Sequence, residues 1–173
     1  MPETVTKYAK LIGVVSGKGG VGKSTISANL LAAARDLGAI GLDLDVTKPD
    51  LLFHFLPENQ VRIDLRDLLN TLNLPEGETA LDRRDVGLIT EWIDRLPEVL
   101  PGVTVIPGPS RDLALPTVTR SLVAELVRYA TQKARLVVVD TAFDIADEAT
   151  LDILYGADLL LVVTSPDHTA VYQ

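Results

Sequence analysis

Residues 16–25 read Ser-Gly-Lys-Gly-Gly-Val-Gly-Lys-Ser-Thr. Gly17, Gly22, Lys23 and Ser24 stand at the spacing G-x-x-x-x-G-K-[ST], that of a loop wrapping backbone N–H groups around a polyphosphate. Such a loop needs glycines because a Cβ would block the main chain's approach and forbid positive φ angles. In this reading Gly17, Lys18, Gly19, Gly20, Val21, Gly22, Lys23, Ser24 and Thr25 line the phosphates. Lys23 meets the β- and γ-phosphates and the Ser24 hydroxyl meets Mg²⁺. A glycine-rich turn that binds nothing is the alternative, and the flanks argue against it. Leu11-Ile12-Gly13-Val14-Val15 is an apolar run fit for a buried parallel strand, and Ile26, Leu30, Ala33, Ala34 and Leu37 recur at helical spacing after the loop. Strand, loop, helix is the arrangement the motif requires, and the helix N-terminus adds partial positive charge to the anion site.

Downstream, the spacing predicts a helix over 24–37 closed by Gly38, then a strand over 39–44 leading into Asp43-Leu44-Asp45. Carboxylates at the C-terminal end of a strand in an open α/β sheet lie at the ligand edge. Two apart on a continued strand, Asp43 and Asp45 face the same way, toward the metal and γ-phosphate region; the alternative is that one of them caps a turn before Pro49. Asp50 is expected to cap a short helix over 51–56. The segment 57–101 is the least informative. Short amphipathic helices are predicted over 63–70 and 89–96, with Trp92 and Ile93 as core or interface candidates, a charged mobile loop over 75–85, and Arg62, Arg66, Arg83 and Arg84 as solvated surface.

Val103-Thr104-Val105-Ile106 reads as a strand broken by Pro107-Gly108-Pro109, and 116–134 as a long helix starting near Pro116 or Thr117. Leu136-Val137-Val138-Val139-Asp140 is an apolar run closing on an aspartate, a Walker B pattern whose carboxylate holds Mg²⁺ through a water; a strand-end cap is the alternative for Asp140. A helix over 149–155, a strand over 157–163, and a helix opened by Ser165 as N-cap and Pro166 at its first position complete the pattern. His168, in that helix's first turn, reads as a surface histidine. The fold class is therefore α/β, a doubly wound, mostly parallel sheet with helices on both faces.

The chain has 173 residues, 47% hydrophobic and 23% charged, enough to bury a substantial core as one domain. It has no cysteine, which removes disulfides, thiolate metal sites and thiol nucleophiles. The first ten residues are polar, with no apolar stretch behind them suited to a signal peptide, and no apolar run reaches membrane-span length. The expected location is cytoplasmic. A net charge of −8 argues against broad nucleic-acid binding, since neutralising phosphates needs a basic face.

Lys18 makes the loop Lys-Gly-Gly-Val-Gly-Lys-Ser-Thr, and this resembles the deviant Walker A of the MinD/ParA family of ATPases. The resemblance extends loosely from Leu11 to Gln173. The run Asp147-Glu148-Ala149-Thr150-Leu151-Asp152, Ala157-Asp158 and Thr164-Ser165-Pro166-Asp167 look most like the MinD-like and CpaE/TadZ-like branch. The family implies that Lys18 reaches across a homodimer interface to the other subunit's nucleotide; the alternative is a solvated lysine that only raises local potential. It implies Asp45 as the residue that orients or deprotonates the attacking water, with Lys18 and Lys23 on the transferring phosphoryl group. It also implies Ser24, Asp43 and Asp140 as the metal residues. Iron–sulfur carriers of similar architecture need cysteines that this chain lacks. The family's Pro and Gly after the Walker B aspartate are replaced by Ala142 and Phe143 in Thr141-Ala142-Phe143-Asp144.

The implied activity is slow ATP hydrolysis by a Mg-ATP-dependent dimeric switch that positions division, pilus or secretion machinery through a protein partner. Beside the cytoplasmic location, the resemblance leaves open a peripheral one at the inner membrane, with membrane contact through a C-terminal segment missing from this sequence. The alternatives are a nucleotide-bound localisation scaffold and a ParA-type DNA segregation ATPase. The expected organisation is a tail or linker over 1–10 and a phosphate-loop ATPase domain over 11–173 that lacks its C-terminal strands and helices.

Overall fold

The computed structural model describes residues 10–45, 48–57, 64–73, 80–109, 119–142 and 148–166. The chain runs β1 (Lys10–Val15), α1 (Lys23–Ala33), β2 (Ala39–Asp43), α2 (Leu65–Leu72), α3 (Arg83–Asp94), β3 (Glu98–Leu100), β4 (Val103–Ile106), α4 (Arg120–Lys133), β5 (Leu136–Asp140), α5 (Glu148–Gly156) and β6 (Leu159–Val162). Six strands form one sheet in the order β3-β4-β2-β5-β1-β6. All neighbours are parallel except β3 and β4.

Parallel strands buried on both faces read as continuous apolar runs, and the side-chain alternation divides them between two cores. Leu42, Val137 and Val139 point into one core with Leu68, Ile89, Leu122 and Leu126 from α2, α3 and α4. Val14, Val105 and Val138 point into the other with Ala28 and Leu31 of α1 and with Leu51. Gly41 lets α1 approach β2, since a Cβ there would lie 2.6 Å from Leu31 Cδ1. At β6 the covering thins, and Leu159, Leu160 and Val162 are exposed.

Several boundaries differ from the sequence reading. The first helix ends at Ala33, and a 3₁₀ turn over Arg35–Leu37 leads to Gly38 at φ 80°. Arg83–Asp85, expected in a mobile loop, is the first turn of α3. Asp82 accepts from the Arg84 and Asp85 amides, and the Asp85 carboxylate accepts from the Asp82 amide, a reciprocal cap that starts the helix early. The amphipathic helix expected over 63–70 spans Leu65–Leu72, with Asp64 as its cap. The long helix begins at Arg120, with Thr119 accepting from the Leu122 amide at 3.2 Å. The antiparallel β3 has no counterpart in the sequence reading.

Asp50 does not cap the turn that follows it. That turn is a short 3₁₀ helix over Leu52–His54 without a side-chain cap, and Asp50 contributes its carbonyl, to the Phe53 amide. Ile93 is buried and Trp92 half-buried, as core candidates; Arg83 and Arg84 are exposed and Arg66 half-buried. Arg62, Phe143, Asp144, Asp147, His168, the tail over 1–9 and the helix after Pro166 lie outside the described residues. No helix among the described residues is long and apolar enough to cross a membrane.

Candidate nucleotide site

β1 lies inside the sheet, between β5 and β6, so the loop that follows it opens at the C-terminal edge where the strand order reverses. Such a switch point leaves a crevice above the strand ends. Ser16 is buried at the start of the loop and its hydroxyl donates to the Lys18 carbonyl at 2.7 Å, which curls the chain. Gly20 at φ 77° and Gly22 at φ 100° take the left-handed turns. Gly22 is also the residue before α1, and it leaves the helix start without a side-chain cap or an acidic residue in the first turn. The first-turn amides are therefore oriented for an external anion. Gly19, Gly20 and Thr25 are exposed, Gly17, Lys18, Val21 and Ser24 half-buried, and Lys23 is buried.

The carboxylates arrive from neighbouring strands. Asp43 ends β2 and Asp140 ends β5, and the two are register partners. Asp140 is buried; Ser27 donates to its Oδ1 at 3.2 Å, and its Oδ2 is buried with no hydrogen-bond partner. Burial raises the Asp140 pKa to about 6, against the opposing pull of the Ser24 hydroxyl, the Lys23 ammonium and the Ser27 hydroxyl. Burial, and then the charge of Asp140, push Asp43 well above the usual carboxylate range despite main-chain donors from Leu51 and Asp45. Two carboxyls held short of compensation, one with an orphaned oxygen beside serine hydroxyls, fit a hydrated divalent cation.

Asp43 and Asp45 do not share a strand face. β2 stops at Asp43, whose Oδ1 accepts from the Asp45 amide at 3.1 Å and Oδ2 from the Leu51 amide at 3.0 Å, so the chain turns there. Asp43 thus has the capping role that the sequence leaves open, and its oxygens are already engaged by main-chain donors. Asp45 sits half-buried in the following loop, its Oδ1 accepting from the Lys48 amide at 2.9 Å. Among the described residues no group of three His, Cys, Asp or Glu side chains could hold a metal by itself. A metal here therefore depends on hydroxyl, water or phosphate oxygens in addition to Asp140.

The sequence reading assigns none of the following contacts, although it places Thr141 in the expected second switch and Gly108 in the break after a strand. Ser27 lies one turn beyond Lys23 and Ser24 on the same helix face, a spacing that could have flagged it. Thr141, buried, donates its hydroxyl to Val14 O at 3.0 Å and fastens the end of β5 to β1. Gly108, just beyond β4, packs directly on Asp43; no local pattern announces that contact. Ala142, beside Thr141, is buried.

A doubly wound sheet with a phosphate loop at its switch point and paired strand-end carboxylates defines a phosphate-loop nucleotide-binding domain. The chain belongs to the CobQ/CobB/MinD/ParA nucleotide binding domain family, whose family model matches residues 12–143. It is similar to the flagellum site-determining protein YlxH of Helicobacter pylori, with 28% identity over 171 residues, covering 94% of this chain and 50% of the relative. The chain thus spans about half the length of that protein. Among solved structures it resembles a ParA family ATPase from Chlorobium tepidum TLS, with a TM-score of 0.68 and 24% identity over 94% of this chain and 63% of that one. It also resembles the septum site-determining protein MinD complexed with Mg-ADP from Pyrococcus horikoshii OT3, with a TM-score of 0.59 and 20% identity over 94% and 60%. At these identities the structural likeness speaks for the fold alone.

Proposed function

We propose that this chain is the nucleotide-binding part of an ATP-hydrolysing switch of the MinD/ParA type that positions cellular machinery. The observation that carries the reading is the orphaned Asp140 oxygen, held beside Ser24, Ser27 and Lys23 at the start of the phosphate-loop helix. The loop amides from Gly17 to Thr25, with Lys23, hold the phosphates. Ser24 and Asp140 hold Mg²⁺, and Asp43 supports the metal side by fixing the loop that follows it. A bound Mg²⁺ supplies charge neutralisation on the phosphates. Asp45 orients the attacking water, and Lys18 contacts the nucleotide of a second subunit.

Site-determining relatives such as YlxH support a positioning role; a protein partner, met in the cytoplasm or at the inner face of a membrane, belongs to the same proposal. The acidic charge weighs against DNA as the partner. A second reading, a nucleotide-bound scaffold with little turnover, draws on Ala142 standing where the family resemblance implies proline. The 11–173 span is taken as one domain in either reading.

Calorimetric titration with Mg-ATP tests the assignment. The wild-type chain is expected to bind, and Lys23→Ala to lose at least about tenfold in affinity, the lower end of the scale for removing a charged contact to phosphate. Equal affinity in the two would refute the phosphate-loop reading. Phosphate release under saturating Mg-ATP separates the switch from the scaffold.

A further inference from the structure

Beyond β4 the chain reads Pro107-Gly108-Pro109, and all three residues are buried. Gly108 meets the loop after β2 at close range. A Cβ built on it would lie 2.6 Å from Pro49 Cβ, 3.2 Å from the Asp43 carbonyl oxygen and 3.4 Å from Asp43 Cγ. The first distance is shorter than any tolerable carbon–carbon contact, and a proline ring cannot rotate away from its own backbone. The second confronts the last residue of a strand paired on both sides, which does not yield.

The direction in which strain would run follows from what is anchored. Leu51 is fully buried in the α1-side core and donates its amide to Asp43 Oδ2. Asp43 is fixed by β2. Between these anchors stands Asp45, whose amide is held by Asp43 Oδ1 and whose Oδ1 holds the Lys48 amide. Pro49 belongs to neither anchor. A side chain at position 108 would therefore displace Pro49 and, through the adjoining Lys48 amide, Asp45.

We propose that Gly108 is a positioning residue: its missing side chain sets where Pro49 and Lys48 sit, and hence, through the Lys48 amide, where Asp45 stands relative to the phosphate loop. β4 supplies no residue to the phosphate loop or the metal side, yet its terminal turn gauges the position of the loop that carries Asp45. The consequence for catalysis rests on the functional reading above; the geometric linkage does not.

The test uses the full chain as wild type, Gly108→Ala, and Gly108→Ala combined with Pro49→Gly, which removes the opposing Cβ. Amide ¹H–¹⁵N spectra without nucleotide report the linkage directly. Gly108→Ala is expected to shift the Asp45, Lys48 and Leu51 amides, and the double variant to return them toward wild type. Turnover with Mg-ATP is expected to fall at least tenfold in kcat with KM and Mg-ADP affinity within about threefold, and to recover in the double variant. A folded Gly108→Ala chain whose three amides stay in place would overturn the proposal, as would shifts that Pro49→Gly leaves uncorrected. If the wild type binds no Mg-nucleotide, the functional reading falls while the amide shifts still decide the linkage. If the amides move and recover while kcat stays within twofold, Asp45 is not set through Gly108 for catalysis and the proposal fails.

Discussion

Asp43 and Asp140 stand side by side as register partners at the ends of β2 and β5, both buried, and each burdens the site with a carboxyl that burial holds toward its protonated form. The fold places these two acids together at a cost to its own stability, which a bound cation would offset.

Asp140→Asn is therefore expected to stabilise the nucleotide-free chain. With a folded pKa of about 6 against the ordinary aspartate value of 3.8, the folded state holds the proton more tightly. This contribution is present below about pH 4 and is lost as pH rises through 6. A two-unit shift corresponds to about 3 kcal/mol, reduced by the amide's own need for partners. The net gain above pH 7 is about 1 kcal/mol, or ~2–4 °C in melting temperature; it shrinks as pH falls through 6 and turns into a net loss toward pH 4, where only the amide's penalty is left. Taking variant minus wild type removes the opposite trend from Asp82, Asp94 and Asp152, whose hydrogen-bond partners lower their pKa values. A variant less stable than wild type at pH 8 would contradict this account.

Gly41→Ala should cost about 1–3 kcal/mol by overpacking, because its Cβ would press on Leu31, a fully buried side chain. Leu31→Val removes the atom that is struck. Urea midpoints of the single and double variants should then show a favourable coupling of about 0.5 kcal/mol or more; strict additivity would mean that α1 shifts instead.

Lys18→Ala probes the dimer. Light scattering should give the wild type a doubled mass in Mg-ATP and a single mass in ADP, and Lys18→Ala a single mass in both. A mass indifferent to nucleotide in the wild type would favour the scaffold reading.

Thr119→Ala removes the cap of α4 and should lower stability by about 1 kcal/mol, visible as ~2–4 °C in melting temperature. Nucleotide affinity should be unaffected, since α4 belongs to the core on the sheet face away from α1. A weakened affinity would show that the two faces are coupled.

What is legible in the sequence is what lies close in the chain. The phosphate loop is ten consecutive residues whose glycines and lysine carry their meaning locally, and the apolar runs before Gly17 and Asp140 follow from burial on both faces. The partnership of Asp43 with Asp140 depends on β5 inserting between β1 and β2, which no local pattern encodes. The placement expected for Asp45 extends an alternation past the residue where β2 ends; the Asp43 carboxylate, by taking two main-chain amides, turns the chain instead. β3 has three residues on the sheet's rim, too few to show a period. The Asp82 cap lies in a charged stretch that composition alone assigns to a loop.

The rim formed by β6 has a colloidal consequence. In the 173-residue chain taken by itself, the outer side of β6 has no partner strand among the described residues, and Leu159, Leu160 and Val162, the last 71% exposed, lie along it. Such a rim offers main-chain pairing and apolar adhesion together, indifferent to nucleotide. The chain's charge of −8 keeps molecules apart at low ionic strength. Salt that screens this repulsion should bring the rims together, so that clouding begins at lower protein concentration in high salt, and Val162→Lys should postpone it.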